Sequence, residues 1–269
     1  MIATVINNLS LFYRVQKSPK NKFIHLILIF IFTTFSLQAK ILEEDYSVEF
    51  GILGEVAKVQ AKLISDAKHY RLDAKVSVVG TIAKAVTHNL KEQHISKGHI
   101  VDGLLVTDMY QMIKSYGEYT STTIYSVNHK KKKVTRHYKK WKNGKKVINR
   151  KVTLGYYGKD DLVTLFLNLD RHMVLGKKHT TKYIFKVVGA DRKNGRVDVL
   201  IPSKNIQDEM TKLVGIPKPK ENLYNVTMHR QLYHSKKGEL QVRMGEGSIV
   251  EKAVLKDLIF FGDVRIIRQ

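Results

Sequence analysis

Asp160-Asp161-Leu162-Val163-Thr164-Leu165-Phe166-Leu167-Asn168-Leu169 is the stretch on which the fold turns. Leu162, Leu165, Phe166 and Leu169 fall at i, i+3, i+4 and i+7, one face of a helix. Asp160 or Asp161 is placed to cap the first turn, where a carboxylate also suits the positive end of the helix dipole. Val163 and Leu167 widen the apolar stripe until little but Thr164 and Asn168 stays polar. A helix apolar nearly all round has to be buried. Arg171, His172 and Gly176 supply a basic last turn and a stop.

Outward from this segment the chain reads as strands. Upstream, Lys40 to Asp45 is a short charged lead, and Tyr46, Val48 and Phe50 alternate with Ser47 and Glu49. Period-two patterning is cleanest in the next hairpin. Val59, Ala61 and Leu63 share one face of its first strand, and Tyr70, Leu72, Ala74, Val76 and Val78 one face of its second. One packed and one wetted face is the habit of an antiparallel sheet. Thr81 to Leu90 reads as a helical turn or two. His99 to Lys114 makes a hairpin about Asp102-Gly103. Tyr119 to Asn128 is a strand, and Val134 to Leu154 a hairpin about Asn143-Gly144, the strongest turn signal of the chain. Downstream, Thr180 to Ile201 turns at Asn194-Gly195. Ser203 or Asn205 caps a second short helix, Ile206 to Val214, and four more strands follow from Leu223 to Ile267, the last pair separated at Lys256-Asp257. The expected architecture is mainly β: an antiparallel, strongly curved sheet or open barrel around one short buried helix, with one further short helix.

The N-terminus carries an address. Arg14, Lys17, Lys20 and Lys22 precede an almost unbroken apolar run, Phe23 to Phe32, and Leu37-Gln38-Ala39 suits a cleavage site. This is the pattern of a secretory signal peptide over 1–39, with a single periplasmic domain over 40–269. An uncleaved N-terminal anchor is the alternative. Export makes nucleic acid an unsuitable partner despite a net charge of +23. Lipid headgroups, lipopolysaccharide and acidic wall polymers are then the anions available. With no cysteine, there is neither a disulfide nor a thiol nucleophile.

Charge is densest around one hairpin. Lys130, Lys131, Lys132, Lys133, Arg136, Lys139, Lys140, Lys142, Lys145 and Lys146 surround the only tryptophan, Trp141. An indole among lysines suits a headgroup boundary; the plain alternative is an edge strand whose lysines discourage sheet-to-sheet association. Eleven histidines raise the question of a metal. His88, His94 and His99 lie five or six apart, His229 and His234 five, and none matches a known ligand spacing. His129 and His137 flank a lysine run that opposes a cation. No metal and no cofactor is expected. Asp160 and Asp161 suit helix caps better than a general acid and base, and no nucleophile elbow, His-Glu-x-x-His or phosphate loop is present. Asp170 and His172 could join a distant serine only by composition.

The chain resembles the exported bacterial proteins grouped as domain of unknown function 3108. The residues that carry the resemblance are Tyr46 to Gly54, Ser96-Lys97-Gly98-His99-Ile100-Val101-Asp102-Gly103-Leu104 with Tyr110, the Tyr125 to Val134 segment, the Asp161-Leu162 helix, Gly176, and Phe261-Gly262-Asp263-Val264-Arg265. The resemblance implies a periplasmic, mostly β protein with no catalytic residue to carry over, its sheet curved around a helix as in lipoprotein carriers. The functional expectation is a non-catalytic periplasmic binding or chaperone-like module for an apolar or anionic envelope component, its protein partner unknown. A scaffolding protein docked to anionic surfaces is the rival, and a periplasmic hydrolase comes last. An apolar cavity would favour the first and a solid core the second.

Overall fold

Fifteen strands form a single sheet in the computed structural model of the chain, which describes residues 39–174, 181–191, 193–229, 238–258 and 262–269. The expected signal peptide and the Gly176 helix stop lie outside these residues. The strands are β1 Lys40–Phe50, β2 Glu55–Ser65, β3 His69–Val78, β4 Lys91–Val101, β5 Leu104–Tyr116, β6 Tyr119–Asn128, β7 Lys133–Lys142 and β8 Lys145–Thr153. After these come β9 Asp160–Asp161, β10 Lys182–Val188, β11 Arg196–Leu200, β12 Asn222–Met228, β13 Glu239–Gly245, β14 Ile249–Leu258 and β15 Gly262–Arg268. Three short helices accompany them among the described residues: α1 Thr81–Thr87, α2 Thr164–Val174 and α3 Lys204–Val214.

The sheet order runs β8 to β1, then β15 down to β9. Two meanders therefore lie side by side, joined where β1 pairs with β15 (Tyr46 opposite Arg268, Phe50 opposite Val264). All pairings are antiparallel except β9 with β10. The sheet curls far enough for Val188 at the end of β10 to pack with Tyr110, Tyr125 and Val134 of β5, β6 and β7. The result is mainly β and strongly curved, as the patterning predicts. The Asn143-Gly144 turn takes positive φ at both residues (46° and 74°), the mirror-image geometry that two-residue hairpins need.

Helix α2 lies against the concave face. It starts at Thr164 rather than Asp160, because Asp160 and Asp161 extend alongside β10 as a two-residue strand. Asp161 is the cap. Its Oδ1 accepts from the backbone N–H of Val163 (2.8 Å) and Thr164 (3.0 Å), while Thr164 Oγ1 accepts the N–H of Asp161 (2.8 Å). Leu165, Leu169 and Met173 are fully buried among Val197, Val199, Val226 and Val242 of the second meander. The two polar residues of the stretch, Thr164 and Asn168, are buried as well. β6 pairs with β5 only from Met109 onward, leaving the start of β5 an open edge. There Asn168 Oδ1 accepts from Leu105 N–H (3.0 Å), Asn168 Nδ2 donates to Leu105 O (2.9 Å), and Lys159 O accepts from Thr107 N–H (2.8 Å). The polar stripe is thus the tie between helix and sheet.

Two sequence expectations are corrected. Lys40 to Asp45 is no lead but half of β1, paired with Ser65 to Gln60 of β2. Its Glu44 meets Arg268 of β15, which donates through Nη2 to Glu44 Oε1 (2.8 Å) and through Nη1 to Glu251 Oε1 of β14 (2.7 Å). One guanidinium therefore spans three strands at the junction of the meanders. Nor do Lys256 and Asp257 separate strands, because β14 runs through to Leu258. In both places charge masks residues through which the strand continues.

Candidate functional site

A cavity of about 300 Å³ separates the rest of α2 from the sheet. The helix contributes Phe166 and Leu167, and the turn leading into it Leu162 and Val163. The first meander contributes Leu42, Tyr46, Val59, Ala61, Leu63, Leu72 and Ala74, and the strands beyond the junction Leu240, Val250, Ala253 and Ile266. The alternating faces of β2 and β3 read from the sequence are its wall. Ala61 and Ala74 stand directly opposite each other in the β2–β3 register. Two alanines where neighbouring positions carry Val and Leu leave the space open.

Among the lining residues only Glu44 carries charge, and Arg268 neutralises it. Tyr46 brings its phenol to the same end. Burial, reinforced by the neighbouring Glu44, pushes that phenol up to about 12, so it stays a neutral donor at any physiological pH. The cavity is apolar along its walls and has a few polar groups at one end, the make-up of a small-ligand site.

Behind the helix lies a compact polar cluster. Asp161 Oδ2 accepts from Ser96 Oγ and from Thr107 Oγ1 (2.9 Å), Tyr70 OH lies 2.9 Å from Ser96 Oγ, and Thr107 Oγ1 lies 3.2 Å from Thr164 Oγ1. Every one of these side chains is buried. Burial pushes the Asp161 carboxyl above the ordinary carboxylate range, against hydrogen bonds from Ser96, Thr164, Val163 and Thr107 that favour the charged form. Asp160 turns elsewhere, accepting from Asn168 Nδ2 (2.5 Å) and meeting His172 Nε2 at 3.2 Å. Adjacent in sequence, the two carboxylates share no open space, so they anchor the helix rather than face a substrate. Asp170 accepts from Tyr224 OH (2.8 Å) and Asn222 Nδ2 (3.1 Å), while His172 stacks obliquely on Phe185. Asp170 and His172 thus point to separate partners.

The basic residues singled out from the sequence form two groups. Lys130, Lys131, Lys132 and Lys133 are exposed at one end of β7; Lys139, Lys140, Trp141, Lys142, Lys145 and Lys146 gather at the other. Ten strand residues at about 3.3 Å each place them roughly 30 Å apart. Alternation divides the second group again. Lys139 and Trp141 share a face, with Lys146 opposite Trp141, whereas Lys140 and Lys142 point the other way, with Lys145 opposite Lys142. Lys140 Nζ sits 4.0 Å from the Tyr119 ring centre, and Lys142 pairs with Glu118 at 3.1 Å. Arg136 belongs to neither group. It is 6% exposed, on the Val134 side of β7, with its guanidinium 4.9 Å from the Tyr138 ring centre.

Spacing along the chain points to no metal ligands, yet among the described residues folding brings one trio of donors together: His99, Asp108 and His129. Nine and twenty-one residues separate neighbouring members of the trio, so only the strand register could reveal it.

No family model and no curated protein matches the chain. Among solved structures, a β-barrel-like protein of domain of unknown function DUF1849 from Brucella abortus superposes with a TM-score of 0.44 at 8% identity, over 87% of this chain and 96% of that one. No helix among the described residues is long and apolar enough to cross a membrane.

Proposed function

We propose that the chain is a non-catalytic, exported binding module that holds an apolar chain between helix α2 and the concave sheet, in the periplasm. The observation that carries the reading is the cavity of about 300 Å³, walled by aliphatic side chains on both sides. That volume stands at the lower bound of small-ligand sites, roughly 300–1,000 Å³, and suits a lipid chain better than a polymer. Each methylene brought in from water is worth about 0.8 kcal/mol, so eight give about 6 kcal/mol before the costs of association. The signal pattern of residues 1–39 and the resemblance to the domain of unknown function 3108 group support the compartment and the carrier-like role.

Titration with cis-parinaric acid, a fluorescent C18 fatty acid, tests the reading. Saturable one-to-one binding is expected. Ala61→Phe fills the cavity from the β2 side and should weaken binding by about tenfold or more, equivalent to at least 1.4 kcal/mol. It should not lower the thermal midpoint, since it supplies contacts where none exist. Undiminished binding to the filled variant would place the ligand elsewhere.

A second reading, docking to anionic envelope surface, is favoured by the exposure of β8, exposed along nearly its whole length, beside Trp141. Each lysine held near an acidic leaflet contributes about 1 kcal/mol. Because Lys139, Trp141 and Lys146 share a face, replacing both lysines with serine should weaken co-sedimentation with phosphatidylglycerol vesicles at low salt. Serines at Lys130 and Lys131, at the far end of the strand, should change it far less. Equal losses from both pairs would mean diffuse attraction with no docking face.

A further inference from the structure

We propose that His99, Asp108 and His129 bind a first-row divalent metal ion, with zinc the best-suited probe. His99 lies near the end of β4, Asp108 lies in β5, and His129 opens the β6–β7 turn. One donor atom from each lies within 4.8 Å of the other two. His99 Nδ1 is 3.0 Å from Asp108 Oδ1, and His129 Nε2 is 3.1 Å from the same oxygen. Two imidazoles and a carboxylate around a common point are the ligand set of zinc sites that keep a fourth position open, at about 2.0–2.2 Å from the metal. Small side-chain rotations bring all three donors to that distance.

The backbone is shaped to present these groups. Lys97 pairs with Met109 and Gly98 with Thr107, so Asp108 is the extra residue of a β-bulge. A bulge re-aims a side chain out of the regular alternation. Gly98 allows it: a Cβ there would lie 1.9 Å from Val106 O. Asp108 also lies just before β6 begins to pair with β5, so its side of the strand is open to His129.

A ligand set is more convincing when something holds the imidazole in place. Here Tyr157 OH is 2.8 Å from His129 Nδ1, and Thr107 O is 3.0 Å from its Nε2. Without metal, Nε2–H donates towards Thr107 O and Asp108, and Nδ1 accepts from Tyr157. With metal bound, Nε2 gives its lone pair to the cation, the ring proton moves to Nδ1, and Nδ1–H donates to Tyr157 oxygen. Tyr157 serves both tautomers because a phenol both donates and accepts. The His99 ring stands edge-on to His129, centroids 5.2 Å apart, which leaves both nitrogens turned towards Asp108. Lys130 to Lys133 lower the affinity for a cation, but all four are exposed and screened over about 8 Å at physiological salt.

Isothermal titration of EDTA-stripped, full-length protein with zinc chloride decides the matter. The expected result is one site per chain and a thermal midpoint that rises with zinc. His99→Ala, Asp108→Asn and His129→Ala should each weaken that site on the order of 100-fold, at least the loss seen when supporting residues of metal sites are removed. Tyr157→Phe, which keeps the ring but removes the partner of Nδ1, should weaken it about tenfold. His88→Ala, at an exposed histidine outside the trio, should change nothing. Circular dichroism and melting in EDTA show that each variant is folded; if an alanine variant is not, Asp108→Asn carries the test. No heat of binding, or a zinc site that persists unchanged in Asp108→Asn and in a folded histidine variant, would overturn the proposal.

Discussion

Asp161→Ala is expected to destabilise the domain by roughly 3 to 5 kcal/mol, combining the loss of a helix cap with acceptors taken from buried groups. The cap alone is worth about 1 kcal/mol. The remainder arises because Val163 and Thr164 N–H, Ser96 Oγ and Thr107 Oγ1 all donate to this one carboxylate. Ser96 and Thr107 retain Tyr70 as a neighbour, which holds the cost below the sum of four orphaned donors. Asp161→Asn keeps an acceptor oxygen for the helix and should cost much less. The pair also reads out charge. With its carboxyl raised above 3.8 by burial, Asp161 holds its proton to higher pH in the folded than in the unfolded chain. Its contribution is therefore greatest below about 3.9 and declines as pH climbs through the folded value. Subtracting the pH profile of Asp161→Asn from that of the parent, in urea titrations, should isolate that downward slope. A flat difference would mean that the hydrogen bonds cancel the burial.

Leu169→Ala should cost about 2–5 kcal/mol, the range for a leucine removed from a rigid core. Leu169 is 0% exposed and shares a stripe with Leu165 and Met173 against the strands of the second meander. Phe166, which the sequence marks equally as core, is only partly buried and lines the cavity. Its removal enlarges space that is already open, so Phe166→Ala should cost clearly less than a fully buried aromatic, below about 3 kcal/mol. Urea unfolding of the two variants compares them directly. A phenylalanine costlier than the leucine would show that the cavity face of the helix is in fact filled.

The contrast between these residues shows what periodicity conveys. Helical spacing identifies the apolar stripe of 162–169 without telling which of its members touch protein and which border a void, because a void is a property of the opposite wall. That wall is legible too, as Val59, Ala61, Leu63, Leu72 and Ala74, but only as one packed face. Polarity misleads in a consistent direction. Asn168 is polar yet buried because the open start of β5 needs a donor and an acceptor to complete it, and Asp161 and Thr164 because the Ser96 and Thr107 hydroxyls and the helix amides meet there. Glu44 looks like a leader residue, and it is the partner of Arg268 across the junction. The lysine-rich hairpin is read correctly as a hairpin, yet counting charges along the sequence cannot separate the two ends and two faces of β7. The histidine trio is out of reach for another reason: its geometry depends on a bulge, and one extra residue in a ladder leaves no mark on composition.

The junction of the two meanders has a bearing on how the chain reaches its native state. Within each meander every strand pairs with its neighbour in sequence, but β1 pairs with β15, more than 200 residues away, as in Tyr46 opposite Arg268. Contacts so distant along the chain form late, since a long loop has to be closed before they return any stability. During synthesis the first eight strands emerge long before their last neighbour. Until β15 arrives, β1 presents a bare row of amide and carbonyl groups to any passing strand. The start of β1, ahead of the residues that β15 covers, is rich in charge, with Lys40, Glu43, Glu44 and Asp45, which is how sheets keep an open edge from pairing with the wrong chain. Arg268 then latches onto one of those charges, so the residues that guard the unfinished sheet include one that fastens the finished one.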